Sequence, residues 1–214
     1  MQADANGAAL PRFFLKAAGA LVLVTGAWWF VADVVALPAA WVAKVVAQSV
    51  FSDLVRHANV GKDTLELETH MRVDMAQMRG AQPVPRGTVA ELVVDARAAK
   101  YGYSLPLLLA LLISGSRKKL ARNAALGAVC LIPAQAFSLL MDLIKQAALG
   151  AGPGVTAQTG WGQWQLELVG YGYQLGVLLV PTLTPVLLWL WLDRQFFAAV
   201  LVEGWLRNAP VQDR

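Results

Sequence analysis

The chain has 214 residues, 57% of them hydrophobic and 15% charged, whereas ordinary soluble domains carry about 25% charged residues. Its formal charge of +4 comes without a stripe of Lys and Arg alternating with aromatics, which excludes a nucleic-acid surface. The single cysteine, Cys130, excludes an internal disulfide. This is the composition of an integral membrane protein, whose first partner is the lipid bilayer.

Arg12 and Lys16 stand before an apolar run from Ala17 to about Ala36. The run is too long for a cleavable signal peptide and is interrupted by Trp28 and Trp29, so it reads as a retained anchor. A hydrocarbon core of about 30 Å needs roughly 20 apolar residues of helix. Four segments meet or approach that length: Phe13–Leu37, Tyr101–Ser114, Leu120–Ile144 and Leu166–Leu192. The second is short and is expected to borrow a turn from the residues before it or to sit where the bilayer thins. The expected organisation is residues 1–37 as N-terminus and first span, 38–100 as an extracytoplasmic insertion, 101–192 as spans two to four, and 193–214 as a cytoplasmic tail.

Pro38 is expected to end or kink the first helix. Beyond it Val42, Val46, Val50 and Leu54 recur every fourth residue, with Lys44, Gln48, Ser52 and Arg56 on another face. That is an amphipathic helix, lying flat on the outer surface or against other helices. TLELETHMRVD then alternates: Leu65, Leu67, Met71 and Val73 point one way, Glu66, Glu68, His70 and Arg72 the other. A second strand, VAELVVDAR, puts Ala90, Leu92, Val94 and Ala96 on one face, and Pro83, Pro85 and Gly87 make the connection Met75–Gly87 irregular. The fold class expected is a mainly α polytopic membrane protein. It has four transmembrane helices and a small α/β insertion, an amphipathic helix plus a β-hairpin, between the first two.

The loop Ser116–Asn123 holds Arg117, Lys118, Lys119 and Arg122 and no acid, while Gln146–Gln165 holds no Lys or Arg. Positive charge in short loops stays in the cytoplasm. The spans therefore alternate with both termini inside and the insertion outside.

Chemistry is sparse. No phosphate-binding loop, dinucleotide fingerprint or paired-histidine helix occurs, and no cofactor is expected. Glu66, Glu68 and His70 share a strand face, but a structural zinc site wants four ligands, and a solvated face explains the row; no metal is expected. Cys130, in an apolar helix, reads as a small buried apolar residue without a chemical role. Gln135, after Pro133, and Ser138 read as polar groups facing another helix, and Asp142 with Lys145 as a local pair one turn apart. No acid or base falls in the middle of a span, which argues against a proton-coupled transporter.

The clearest internal echo is KYGYSLP at Lys100–Pro106 and GYGYQLG at Gly170–Gly176, each at the mouth of an apolar run. Tyrosine favours the membrane–water interface, which explains the tyrosines. Glycine between two aromatics lets another backbone come close, so a partner contact is the second reading. The partner-binding candidates are Tyr101, Gly102, Tyr103, Pro106, Tyr171, Gly172, Tyr173 and Gln135. Of these, Gly102 and Gly172 are expected to be the sensitive positions.

The run LVVDARAAKYGYSLPLLLALLIS, from Leu92 to Ser114, resembles the corresponding stretch of the exosortase H-associated membrane proteins. So does the plan of an N-terminal anchor, a strand-bearing outer segment and later apolar helices. The resemblance implies a bacterial inner-membrane protein doing accessory work beside an exosortase, a transpeptidase-like enzyme that sorts exported proteins anchored by their C-termini. Exosortases use a membrane-embedded Cys, Arg and His. This chain has Cys130 but no histidine and no deep arginine in a span, so a non-catalytic subunit is expected, with an exosortase as membrane partner. The competing expectation is a scaffold subunit of a secretion, conjugation or envelope-assembly complex.

Overall fold

The first apolar run does not make one helix. In the computed structural model, which describes residues 9–74, 89–115, 119–194 and 198, α1 covers Ala9–Trp29 and α2 begins afresh at Ala32, running to Val50. The break falls just before Asp33, which lies in the first turn of α2. A carboxylate is stabilised there by the helix dipole, and it meets Arg97 at 3.1 Å. The expected end of the helix at Pro38 is therefore corrected: Pro38 lies inside α2.

The amphipathic reading of this region is corrected too. The buried face of α2 is made of Ala36, Ala39, Ala40, Ala43 and Ala47, while Val42, Val45 and Val50 are exposed. Small side chains let the helix lie close to β1 and to the turn before α3, against which it packs. Leu54 is buried, but beyond the end of the helix.

The expected β-hairpin is a three-stranded antiparallel sheet in the order β1-β2-β3, with β1 at Val55–Val60, β2 at Thr64–Asp74 and β3 at Val89–Arg97. β1 escaped the alternation test for a physical reason. Its register slips between Val55 and His57, so its buried residues, Val55 and Ala58, stand three apart; a bulge destroys the period of two. β2 and β3 follow the expected pattern, with Leu65, Leu67, Met71, Val73, Leu92, Val94 and Ala96 buried and Glu66, His70 and Arg72 exposed. The connection Met75–Gly87 and the cations Arg117 and Lys118 lie outside the described residues.

After β3 a 3-10 turn, Ala98–Tyr101, leads into α3, Ser104–Ser114; the short span does borrow a turn. Next come α4, Leu120–Lys145, a π turn at Gln146–Gly150, the short α5, Pro153–Thr156, and α6, Gln163–Gln174. A second π turn, Leu175–Leu179, joins α6 to α7, Val180–Leu192. It ends two residues before Pro181, whose missing N–H and ring clash with the fourth residue back disrupt an α ladder.

Ala32–Val50, Leu120–Gly150 and Gln163–Leu192 are long and apolar enough to cross a membrane; Phe13–Trp29 and Ala98–Ser114 are shorter apolar helices. Among the described residues there are thus three long candidates and two short ones.

The described residues form two compact units. One holds α1, α3, the first part of α4 and most of α7; Leu108, Leu112 and Leu131 are its centre. There Phe13 stacks on Trp189 with ring centroids 5.5 Å apart, and Asn123 Nδ2 donates to the Leu192 carbonyl at 3.3 Å. Cys130, on α4, is exposed, not buried as its apolar surroundings suggested. The other unit holds α2, the sheet, the later part of α4 and the chain up to Pro181.

In the second unit β2 outruns β1, and a side chain takes over where the strand stops. Gln158 Oε1 accepts the Arg72 N–H at 2.8 Å, and Gln158 Nε2 donates to the Arg72 carbonyl at 2.8 Å. A carboxamide thus occupies the place of a neighbouring strand on an open edge. Gln158→Ala is expected to lower stability by about 1 kcal/mol, the scale of exchanging such bonds for water. It should also speed hydrogen exchange at the Arg72 amide while leaving the Asn59 amide unchanged.

Candidate functional site

The two Tyr-Gly-Tyr copies meet the same stretch of α4. Asp142 on that helix is 5% exposed, a carboxylate in an apolar segment. Its Oδ2 accepts from the Tyr101 hydroxyl at 2.7 Å and from Lys100 Nζ at 3.0 Å. Tyr101 is 1% exposed, so its ring is core and its hydroxyl is spent on the acid. Charge-assisted bonds of this length are the strong ones, and they offset the desolvation of the carboxylate. Lys100 remains 54% exposed along its side chain, so solvent screens its share of the attraction. The hydroxyl is the interior partner.

The expected pairing of Asp142 with Lys145 is therefore corrected. Lys145 instead places Nζ over the Tyr173 ring, 5.0 Å from its centroid, as Lys100 does over Tyr101 at 5.3 Å. Each copy thus carries a cation on one tyrosine face. The partner of Asp142 could not be read from α4 itself, because it comes from 42 and 41 positions away in the chain.

The second copy uses its glycines against the same helix. A Cβ on Gly172 would lie 2.8 Å from Met141 Sδ, and one on Gly176 would lie 3.3 Å from both Phe137 Cε1 and Ser138 Cα. Glycines four apart, facing a neighbouring helix at this distance, form the close-packed seam used between membrane helices. Gly102 has an ordinary right-handed conformation at the end of the 3-10 turn, where its N–H donates to the Ala99 carbonyl at 3.0 Å.

The predicted site residues thus separate into two groups. Tyr101, Gly102, Pro106 and Gln135 are buried; Gly172 packs on α4, and Tyr173 lies under Lys145. Tyr103 and Tyr171 are exposed, Tyr171 at 67%. Two polar links had no signal in the sequence: Gln158 on Arg72, and Gln146 Nε2, which donates to the Asp95 carbonyl at 3.5 Å. Gln146 opens the π turn after α4, and Gln158 lies in a 3-10 turn, Ala157–Thr159. Among the described residues no group of three or more His, Cys, Asp and Glu is arranged to hold a metal. The cluster holds chain segments together.

A family model described as exosortase H-associated membrane protein matches residues 7–196. No curated protein and no solved structure matches the chain.

Tyr101→Phe leaves the buried Asp142 with one partner fewer and is expected to destabilise by about 1–3 kcal/mol, read as a lower unfolding midpoint in detergent. Gly176→Ala should cost more than Gly172→Ala. The first pushes against backbone at Ser138, the second only against the movable end of Met141.

Proposed function

Since the chain belongs to the exosortase H-associated membrane protein family, we propose that it is a non-catalytic accessory subunit of the inner membrane. It acts beside an exosortase-type transpeptidase on exported proteins anchored by their C-termini. The family match carries this reading. The cluster supports it, because the ionisable groups gathered at Asp142 are engaged with one another. A subunit of this kind supplies shape and contact while the transferase supplies nucleophile, base and oxyanion stabilisation.

The proposal places Lys119 and Arg122 in the cytoplasm, following the positive-inside rule, and the sheet and Thr159 on the other face of the bilayer. The outward tyrosines, Tyr103 and Tyr171, serve the partner or the interface; Tyr101 and Tyr173 serve the fold.

Two measurements check the reading. In cells that also make the exosortase, deleting this protein should impair sorting of anchored substrates, and a Cys130→Ala variant should restore it fully. Loss of sorting with normal levels of the Cys130→Ala protein would reverse the non-catalytic assignment. In that same background, an impermeant thiol reagent added from the periplasm should label Thr159→Cys and spare Arg122→Cys; labelling of Arg122→Cys would invert the topology.

A further inference from the structure

Asp142 can neutralise one ammonium, and two lysines lie close to it. Lys100 Nζ meets its Oδ2 at 3.0 Å, and Lys145 stands one helical turn further along the same face of α4. Among the described residues no acid pairs with Lys145, and none but Asp142 pairs with Lys100. The cluster therefore holds one positive charge without a counter-ion. Lys145 Nζ rests over the Tyr173 ring, 5.0 Å from its centroid. A ring face attracts an ammonium but leaves its charge in place.

Hydroxyl donors gather round that charge. The phenols of Tyr103 and Tyr173 both act electrostatically on that of Tyr101, whose own hydroxyl is given to Asp142. Neither Tyr103 nor Tyr173 has a hydrogen-bond partner for its hydroxyl among the described residues. Tyr103 is exposed, and the Lys145 ammonium and Tyr173 hydroxyl are both open to the outside. All these groups belong to the second compact unit. They also stand at helix ends, Lys100 and Tyr103 just before α3 and Lys145 at the last residue of α4.

A singly charged anion with several acceptor oxygens matches this arrangement, and a phosphodiester is such a group: its charge answers the ammonium and its oxygens the hydroxyls. Beside apolar helices a phospholipid headgroup supplies it. Lysines and tyrosines at the ends of membrane helices are the residues that meet headgroups. We propose that Lys145, Tyr103 and Tyr173 bind the phosphate of an anionic phospholipid, with Lys100 adding attraction from the rim. A zwitterionic phospholipid brings an ammonium of its own, which the two lysines repel. The site goes beyond the accessory role and does not depend on it.

The test uses the full chain in a neutral detergent, stripped of lipid, with phosphatidylglycerol as probe and native mass spectrometry to count bound lipid. The unaltered protein should retain phosphatidylglycerol in preference to phosphatidylcholine. Lys145→Gln should weaken binding about tenfold, the scale of losing a charged hydrogen bond, whereas Lys145→Arg should keep most of it. Tyr173→Phe, which leaves the ring under the lysine, should weaken binding severalfold. Lys62→Gln, in the turn between β1 and β2, removes the same charge elsewhere and should change nothing. Equal unfolding midpoints of the lipid-free variants verify the fold; if Lys145→Gln does not fold, Tyr173→Phe carries the test. Undiminished binding by the folded variants would overturn the site, as would an equal loss with Lys62→Gln. Equal retention of phosphatidylcholine would overturn the preference for an anionic lipid. Displacement of the lipid by equimolar inorganic phosphate would make the ligand a soluble phosphate and overturn the lipid assignment.

Discussion

A carboxylate shielded from water in an apolar helix must be satisfied by protein groups, and at Asp142 two consecutive residues meet that demand. Lys100 and Tyr101 converge on one oxygen, at 3.0 and 2.7 Å. Because they immediately precede α3, the contact fixes where the chain leaves β3 and where the next apolar helix starts. Gln146, one position past Lys145, reaches back to the Asp95 carbonyl and ties β3 to the end of α4 a second time. Removing either donor leaves the other to hold a charge that water does not reach, which is why this cluster governs the unit around it.

The second Tyr-Gly-Tyr copy reaches the same helix by different physics. Where the first brings charge and a hydroxyl to α4, the second brings the absence of side chains. Gly172 and Gly176 let the helix approach Met141 and Ser138 more closely than a Cβ allows. The repeated motif is therefore not one device used twice. Its shared outcome is a division of labour among tyrosines: Tyr101 and Tyr173 face α4 or its lysine, while Tyr103 and Tyr171 face outward.

Around the sheet, close approach again sets the choice of residues. α2 turns its alanines inward and its valines and Trp41 outward. That reverses the usual expectation that the larger apolar side chains mark the core. Burial area alone favours the valines, but a helix lying near a strand needs small groups at the contact. In the same unit a glutamine side chain completes the ladder of β2 at Arg72, where β1 has already ended.

What the sequence by itself determined follows from local chemistry. Apolar length marks Leu120–Ile144 and Leu166–Leu192 as spans, where the structure has helices over Leu120–Gly150 and Gln163–Leu192 long and apolar enough to cross a membrane, and strict alternation marks β2 and β3 with the correct faces. The run Leu92–Ser114 carried the family resemblance that the match over residues 7–196 bears out. Tertiary structure decided the rest. β1 was hidden because its bulge breaks the alternation, and the start of α2 was hidden because Asp33 draws its stabilisation partly from Arg97, 64 residues away. Lys145 was a plausible partner for Asp142 by spacing, yet the carboxylate took Tyr101 and Lys100 instead. Spacing along one helix shows which groups can meet, whereas burial decides which must, and burial exists only once distant segments have packed.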